Sequence, residues 1–239
     1  MTLYTPIEIE QIQQDLPYLV EIGQWLKNFV ARPHSNVGRS GPLCPFVPRG
    51  LKLNYLRLKV IRSRNLSHQQ IADSVLPHLN TFLQLEPTDA EEAYLYKSVL
   101  LIFPDVEDDD APQIIDSIHK QLKPLFVDSG VMLGEFHNRT ESPGLHNSNF
   151  RPLRSPVPML VIRPMTEADL PFLEDPGDPD LCIRYLQVYL QKFGGSIKDE
   201  AKLKRIQQKL ALARNQIVQK KFAKLIKSSS SKTSEFVIS

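Results

Sequence analysis

Residues 99–106, VLLIFPDV, constrain the fold more than any other stretch. A strand with one wet face alternates apolar and polar side chains. An unbroken apolar run of strand length is covered on both faces. A chain containing such a strand must build a sheet with elements packed on each side.

The flanking sequence supplies those elements. Leu51–Ile61 reads as a strand with one phase slip, taken as a bulge. Leu66–Phe82 has the helical spacing Ile71, Val75, Leu79 and Phe82, with Ser67 as its cap. Asp108–Asp110 and Pro112 open the next helix, whose buried face is Ile114, Ile115, Ile118, Leu122 and Leu125. Val131–His137 and Pro158–Arg163 are further strands, and Asp180–Phe193 is a late helix. Ile7–Val30 reads as a helix with one buried stripe of Ile7, Ile9, Ile12, Leu16, Leu19, Val20, Ile22, Trp25, Leu26, Phe29 and Val30. Pro17 is expected to break or kink it. Ile197–Ile226 carries Leu203, Ile206, Leu210, Ala213 and Ile217 in a 3-4-3-4 rhythm, which predicts docking rather than a free coiled coil. Residues 228–239 are expected to fray.

The fold class expected is α/β or α+β, a single mixed sheet with packed helices and a long C-terminal amphipathic helix. The strand order is left open, and a parallel sheet satisfies the same pattern. The domain reading is a single α/β domain with an N-terminal helix over residues 1–195, then a basic amphipathic helix and frayed tail over 196–239.

Charge supports that division. The formal net charge is only +2, from 29 Lys and Arg against 27 Asp and Glu. Residues 196–239 hold eleven basic side chains against Asp199, Glu200 and Glu235, a net of +8, so the other 195 residues carry −6. The tail is expected to attract the body or to serve a partner. No apolar run reaches the roughly 18 residues of a membrane span. Met1–Glu21 lacks the basic start and apolar centre of a signal peptide, so the expected location is cytoplasmic. Cys44 and Cys182 are too few for a disulfide scaffold or a thiolate-rich metal site. The dinucleotide GxGxxG loop, the phosphate-binding lysine loop and the GxSxG elbow are absent, which weakens nicotinamide, nucleotide-hydrolase and α/β-hydrolase readings.

Chemistry concentrates in two irregular segments. Residues 31–50, ARPHSNVGRSGPLCPFVPRG, hold His34, Arg39, Cys44, Phe46 and Arg49 among four prolines and three glycines. Residues 134–159, GEFHNRTESPGLHNSNFRPLRSPVPM, hold Glu135, His137, Arg139, Glu141, His146, Arg151 and Arg154. Long segments of this kind with apolar anchors are ordered loops that bind something. Glu135 and His137 lie two apart, on one face of a strand, as a base with its orienting group or as two metal ligands. Zinc or non-haem iron would take a third ligand from His34 or His146. A haem would need one axial His, His34 or His137, and an apolar slot. Arg39, Arg151 or Arg154 would then pair with its propionates or with a substrate carboxylate. Cys44 is a nucleophile candidate if a histidine activates it. Structural hydrogen bonding by these histidines, with no cofactor, is the plain alternative. The acidic run Glu107–Asp110 reads as a solvated helix start.

The segments PHSNVGRSGPLCPF and GEFHNRTESPGLHNSNFRPLRSPVPMLVIR together resemble the DUF6875 domain family of uncharacterised bacterial proteins, over roughly residues 30–175. A more distant resemblance is to the YqcI/YcgG family, whose members carry a CPF segment before the first strand and a late Arg-rich segment. That resemblance aligns Cys44–Phe46 with the CPF segment and Arg151 and Arg154 with the Arg-rich one. It implies a haem-dependent oxygenase acting on an amino-acid-like or guanidine-containing small molecule. The first expectation is therefore a small-molecule oxygenase, with haem b, iron or zinc, or no cofactor. The competing expectation is a binding or adaptor protein using the basic C-terminal helix. Nucleic acid, through Lys202, Lys204, Arg205, Lys209, Lys220, Lys221, Lys224 and Lys227, and an anionic membrane surface are weaker versions of it.

Overall fold

A computed structural model describes residues 5–88 and 92–233, with side chains of the last helix described as far as Phe222. The chain divides into two compact units. One holds the chain up to Phe126 together with Val131–Pro164; the other holds Val127–Gly130 and the chain from Met165 onward.

The first unit is built on four strands, β1 (Leu56–Val60), β2 (Ser98–Ile102), β3 (Val131–Phe136) and β4 (Met159–Pro164), in the order β1-β2-β4-β3. β1 and β2 are parallel; β4 runs antiparallel to both β2 and β3. The fold is thus a mixed α/β arrangement with one open mixed sheet, as the sequence predicted. The apolar run forms β2, an interior strand whose Val99–Ile102 side chains are all buried.

Val99, Leu101, Leu133, Leu160 and Ile162 meet α3 (His68–Val75), α4 (Pro77–Gln84) and α5 (Ala111–Asp128) in one core. Leu100, Ile102 and Met159 meet Ile22, Leu26 and Val30 in the other. Those three come from α1 (Pro6–Trp25) and the π-helical turn Leu26–Val30 that continues it. The alternation of β2 therefore feeds two separate cores.

Several expected boundaries move. Leu51–Ile61 is not one strand: Leu51 and Lys52 end α2 (Val47–Lys52), and Asn54, with φ +57°, turns the chain into β1. The phase slip marks that change of element, not a bulge. Leu66–Phe82 is two helices, because Pro77 cannot donate within a helix and instead starts α4. Ser67 caps α3 in a reciprocal capping box with Gln70.

Pro17 neither breaks nor ends α1. The carbonyl it cannot serve belongs to Gln13, an exposed residue, so the missing bond falls on the outer side of the helix. The expected buried stripe of α1 also needs correction. Ile22, Leu26 and Val30 are buried, but Ile7, Ile9, Ile12, Leu16 and Val20 are exposed. Helical period shows which residues share a face and cannot show how far along the helix a neighbour extends.

In the second unit, α6 (Pro179–Phe193) starts at the Asp178 cap and packs against α7 (Glu200–Thr233). Ile206, Leu210 and Ala213 of the expected seam are buried. Basic residues of α7 pair with acidic ones of the same unit, Lys209 with Asp175 at 2.6 Å and Arg205 with Glu174 at 3.5 Å. α7 runs past the expected end at Ile226 into the serine run, since extending a formed helix is easier than starting one. The expected fraying of 234–239 and the side chains of Lys224 and Lys227 lie outside the described residues. No described helix is long and apolar enough to cross a membrane.

Candidate functional site

The two irregular loops meet. Asn147 Nδ2 donates to the Asn36 carbonyl at 2.9 Å. Gly38 backs directly onto His146: a Cβ built at Gly38 would lie 2.7 Å from the His146 carbonyl oxygen, and its φ of +77° suits glycine. The His34 ring stacks on Phe150 with centroids 4.8 Å apart.

That stack ends a continuous run of rings. Phe136 meets Trp25 edge-on at 6.1 Å, Trp25 stacks with Phe29 at 6.1 Å, and Phe29 meets His34 edge-on at 5.6 Å. The run joins the end of β3 to the helical N-terminal segment and both loops. Trp25 and Phe29 form one wall of an open cleft of about 380 Å³, and Asn138, Arg154, Ser155 and Pro156 complete it. That volume lies at the lower end of the range for small-molecule sites. The long loop joins the end of β3 to the start of β4, its antiparallel neighbour, and so begins and ends at this edge of the sheet.

Arg154 and Arg151 converge on one carboxylate. Arg154 Nη2 donates to Glu141 Oε1 at 2.8 Å, and Arg151 Nε donates to Glu141 Oε2 at 3.2 Å. Backbone carbonyls orient both guanidinium groups: Arg154 Nε donates to Thr140 O at 3.2 Å, and Arg151 Nη1 to Ser148 O at 2.6 Å. The two arginines hold the Glu141 carboxyl below its ordinary range.

On the opposite sheet face, Glu135 and His137 meet two residues of α5. Glu135 Oε2 lies 3.1 Å from His119 Nδ1, and His137 Nε2 lies 2.9 Å from Asp116 Oδ1. His119 Nε2 lies 3.0 Å from the Leu133 carbonyl, which can only accept. Nε2 therefore carries the proton, and the Nδ1–Glu135 contact is a hydrogen bond only if a further proton lies between the two atoms. Burial opposes charge on both partners. It pushes the Glu135 carboxyl up, and with Lys123 nearby it pushes His119 down to about 4. Both shifts run toward the uncharged form of each partner. His137 is fully buried, and its Nδ1 has no hydrogen-bond partner among the described residues.

Among the described residues no three His, Cys, Asp or Glu side chains gather as a metal-holding group. His34, Glu135, His137 and His146, the expected ligand set, are thus not brought together. The donors do not fit the implied haem either. The His34 ring lies against Phe150 and Phe29, and its Nδ1 accepts from the Asn36 N–H at 3.2 Å, which leaves the proton on Nε2. His137 is enclosed, with Nε2 committed to Asp116. Arg39 spans its own loop, donating to Ser40 O and Leu43 O at 3.0 Å each. Cys44 is half-buried and packs against the second core.

Sequence reasoning singled out Arg151, Arg154, Glu135 and His137 but missed Trp25 and Phe29 as cleft walls and Asp116 and His119 as partners. Asp116, His119 and Lys123 do carry a signal: spacings of three and four place polar groups in a row beside the buried Ile115, Ile118 and Leu122.

A family model described as a domain of unknown function, DUF6875, matches residues 19–204. The match begins where α1 turns from exposed to buried. No curated protein and no solved structure matches the chain.

Proposed function

The chain belongs to the DUF6875 family, uncharacterised bacterial proteins, and from that premise we propose that its first unit binds a small carboxylated molecule in the Trp25–Arg154 cleft. One observation carries the proposal. Two stacked aromatic rings and Arg154 line the same open concave surface, so an apolar body and an anionic end can be recognised side by side. An amino-acid-like substrate, as the resemblance to the oxygenase family implies, has that chemistry. The binding step is the part of that expectation proposed here.

The chain has one tryptophan, and it lines the cleft. Emission from Trp25 therefore reports the cleft alone. Titration with small aromatic and aliphatic carboxylates should quench or shift it saturably. If no compound of such a panel moves the emission, the reading fails.

A second reading rests on α7. Leu212, Val218 and Phe222 stay exposed on this strongly basic helix. An acidic protein partner would bury them. Phe222→Asp should then abolish capture of that partner from a lysate of the source cells, and unchanged capture would remove the reading.

A further inference from the structure

We propose that Arg154, the guanidinium lining the cleft, is already occupied by the protein's own Glu141, and that a ligand carboxylate binds by displacing it. The inference rests on the cleft reading above and names how charge is recognised there.

Arg154 both lines the cleft and holds Glu141 Oε1 at 2.8 Å, while Arg151 takes Oε2 at 3.2 Å. One guanidinium on each carboxylate oxygen is the arrangement that would receive an external carboxylate. Both guanidinium groups are oriented by backbone carbonyls, Thr140 O for Arg154 and Ser148 O and Phe150 O for Arg151. Their positions therefore do not depend on Glu141. The glutamate, in contrast, is held only through these two side chains, and its own side chain is 73% exposed. Exposed ion pairs contribute little, so removing Glu141 from the arginines costs little. Buried arginines left unpaired would be costly; arginines that exchange one carboxylate for another are not. Among the described residues Arg154 Nη1 makes no hydrogen bond, which leaves a donor for the incoming group. The rings that line the cleft with it, Trp25 and Phe29, give an apolar wall beside that donor. The ligand class is thus a monocarboxylate with an apolar portion.

The test uses the full chain and two probes of equal shape, phenylacetate and phenylacetamide, followed by Trp25 emission. Glu141→Gln should tighten phenylacetate about two- to fivefold and leave phenylacetamide unchanged. Arg154→Gln should erase the preference for the charged probe. Circular dichroism of each variant checks that it is folded. If phenylacetamide binds but Glu141→Gln gives phenylacetate no advantage, displacement is wrong and the cleft reading stands. If neither probe moves the emission of any variant, the cleft reading fails and takes this inference with it.

Discussion

Lowering the pH from 7 to 4 should destabilise the first unit specifically through His119. The imidazole is enclosed between α5 and β3 and titrates at about 4 instead of 6.5. The unfolded chain binds the proton near 6.5, so between those two values it holds more protons than the folded chain, and stability falls as the pH falls. The separation corresponds to about 3 kcal/mol, nearly all of it expressed by pH 4. Glu135 acts in the opposite sense. Its raised carboxyl binds a proton more readily in the folded chain, so its contribution is present at low pH and is lost as the pH rises through its folded value. The pair is most stable where both partners are uncharged. His119→Gln keeps a donor for the Leu133 carbonyl and removes the titration. Urea unfolding of wild type and variant at pH 7 and pH 4, followed by far-ultraviolet circular dichroism, isolates the His119–Glu135 pair, because acid-sensitive groups away from it cancel in the difference. Wild type should lose about 3 kcal/mol more than the variant. A difference below about 0.5 kcal/mol would refute the proton assignment.

Two further outcomes test the frame around the cleft. Lys97 is 1% exposed, lies over the Phe82 and Tyr94 rings, and donates to the carbonyls of Phe82 and Leu85 at 2.9 and 2.6 Å. Lys97→Met leaves those helix-end carbonyls without this donor and should cost about 3 kcal/mol in urea unfolding. Gly38→Ala adds a Cβ where φ is +77° and the His146 carbonyl stands 2.7 Å away, so it should cost about 1–3 kcal/mol. It should also weaken probe binding in the Trp25 emission titration, since it separates the loops that hold the ring run.

Much of the secondary structure was legible because each strong signal is local. The run from Val99 to Phe103 required cover on both faces, and the Ser67 cap opened α3 where expected. The seam of Leu203, Ile206, Leu210, Ala213 and Ile217 required a docking partner. The candidate site was legible only as residue types. Arg151 and Arg154 stood out as arginines held among prolines and apolar anchors. Nothing local told that Glu141 would take both, or that Trp25 would line one cleft with Arg154.

By itself the sequence determined the periodicities, and so the elements, the mixed α/β character and the basic charge of the last helix. Period is a property of neighbouring residues and needs no knowledge of the rest of the chain. The tertiary structure decided what long-range pairing alone decides. It set β4 antiparallel between β2 and β3, and it brought the long connection between β3 and β4 against the 31–50 loop. It gave Glu135 to His119 and His137 to Asp116, because both strand residues face α5. It also left half of α1's apolar stripe uncovered, since burial depends on where a neighbour ends and not on the helix that it covers.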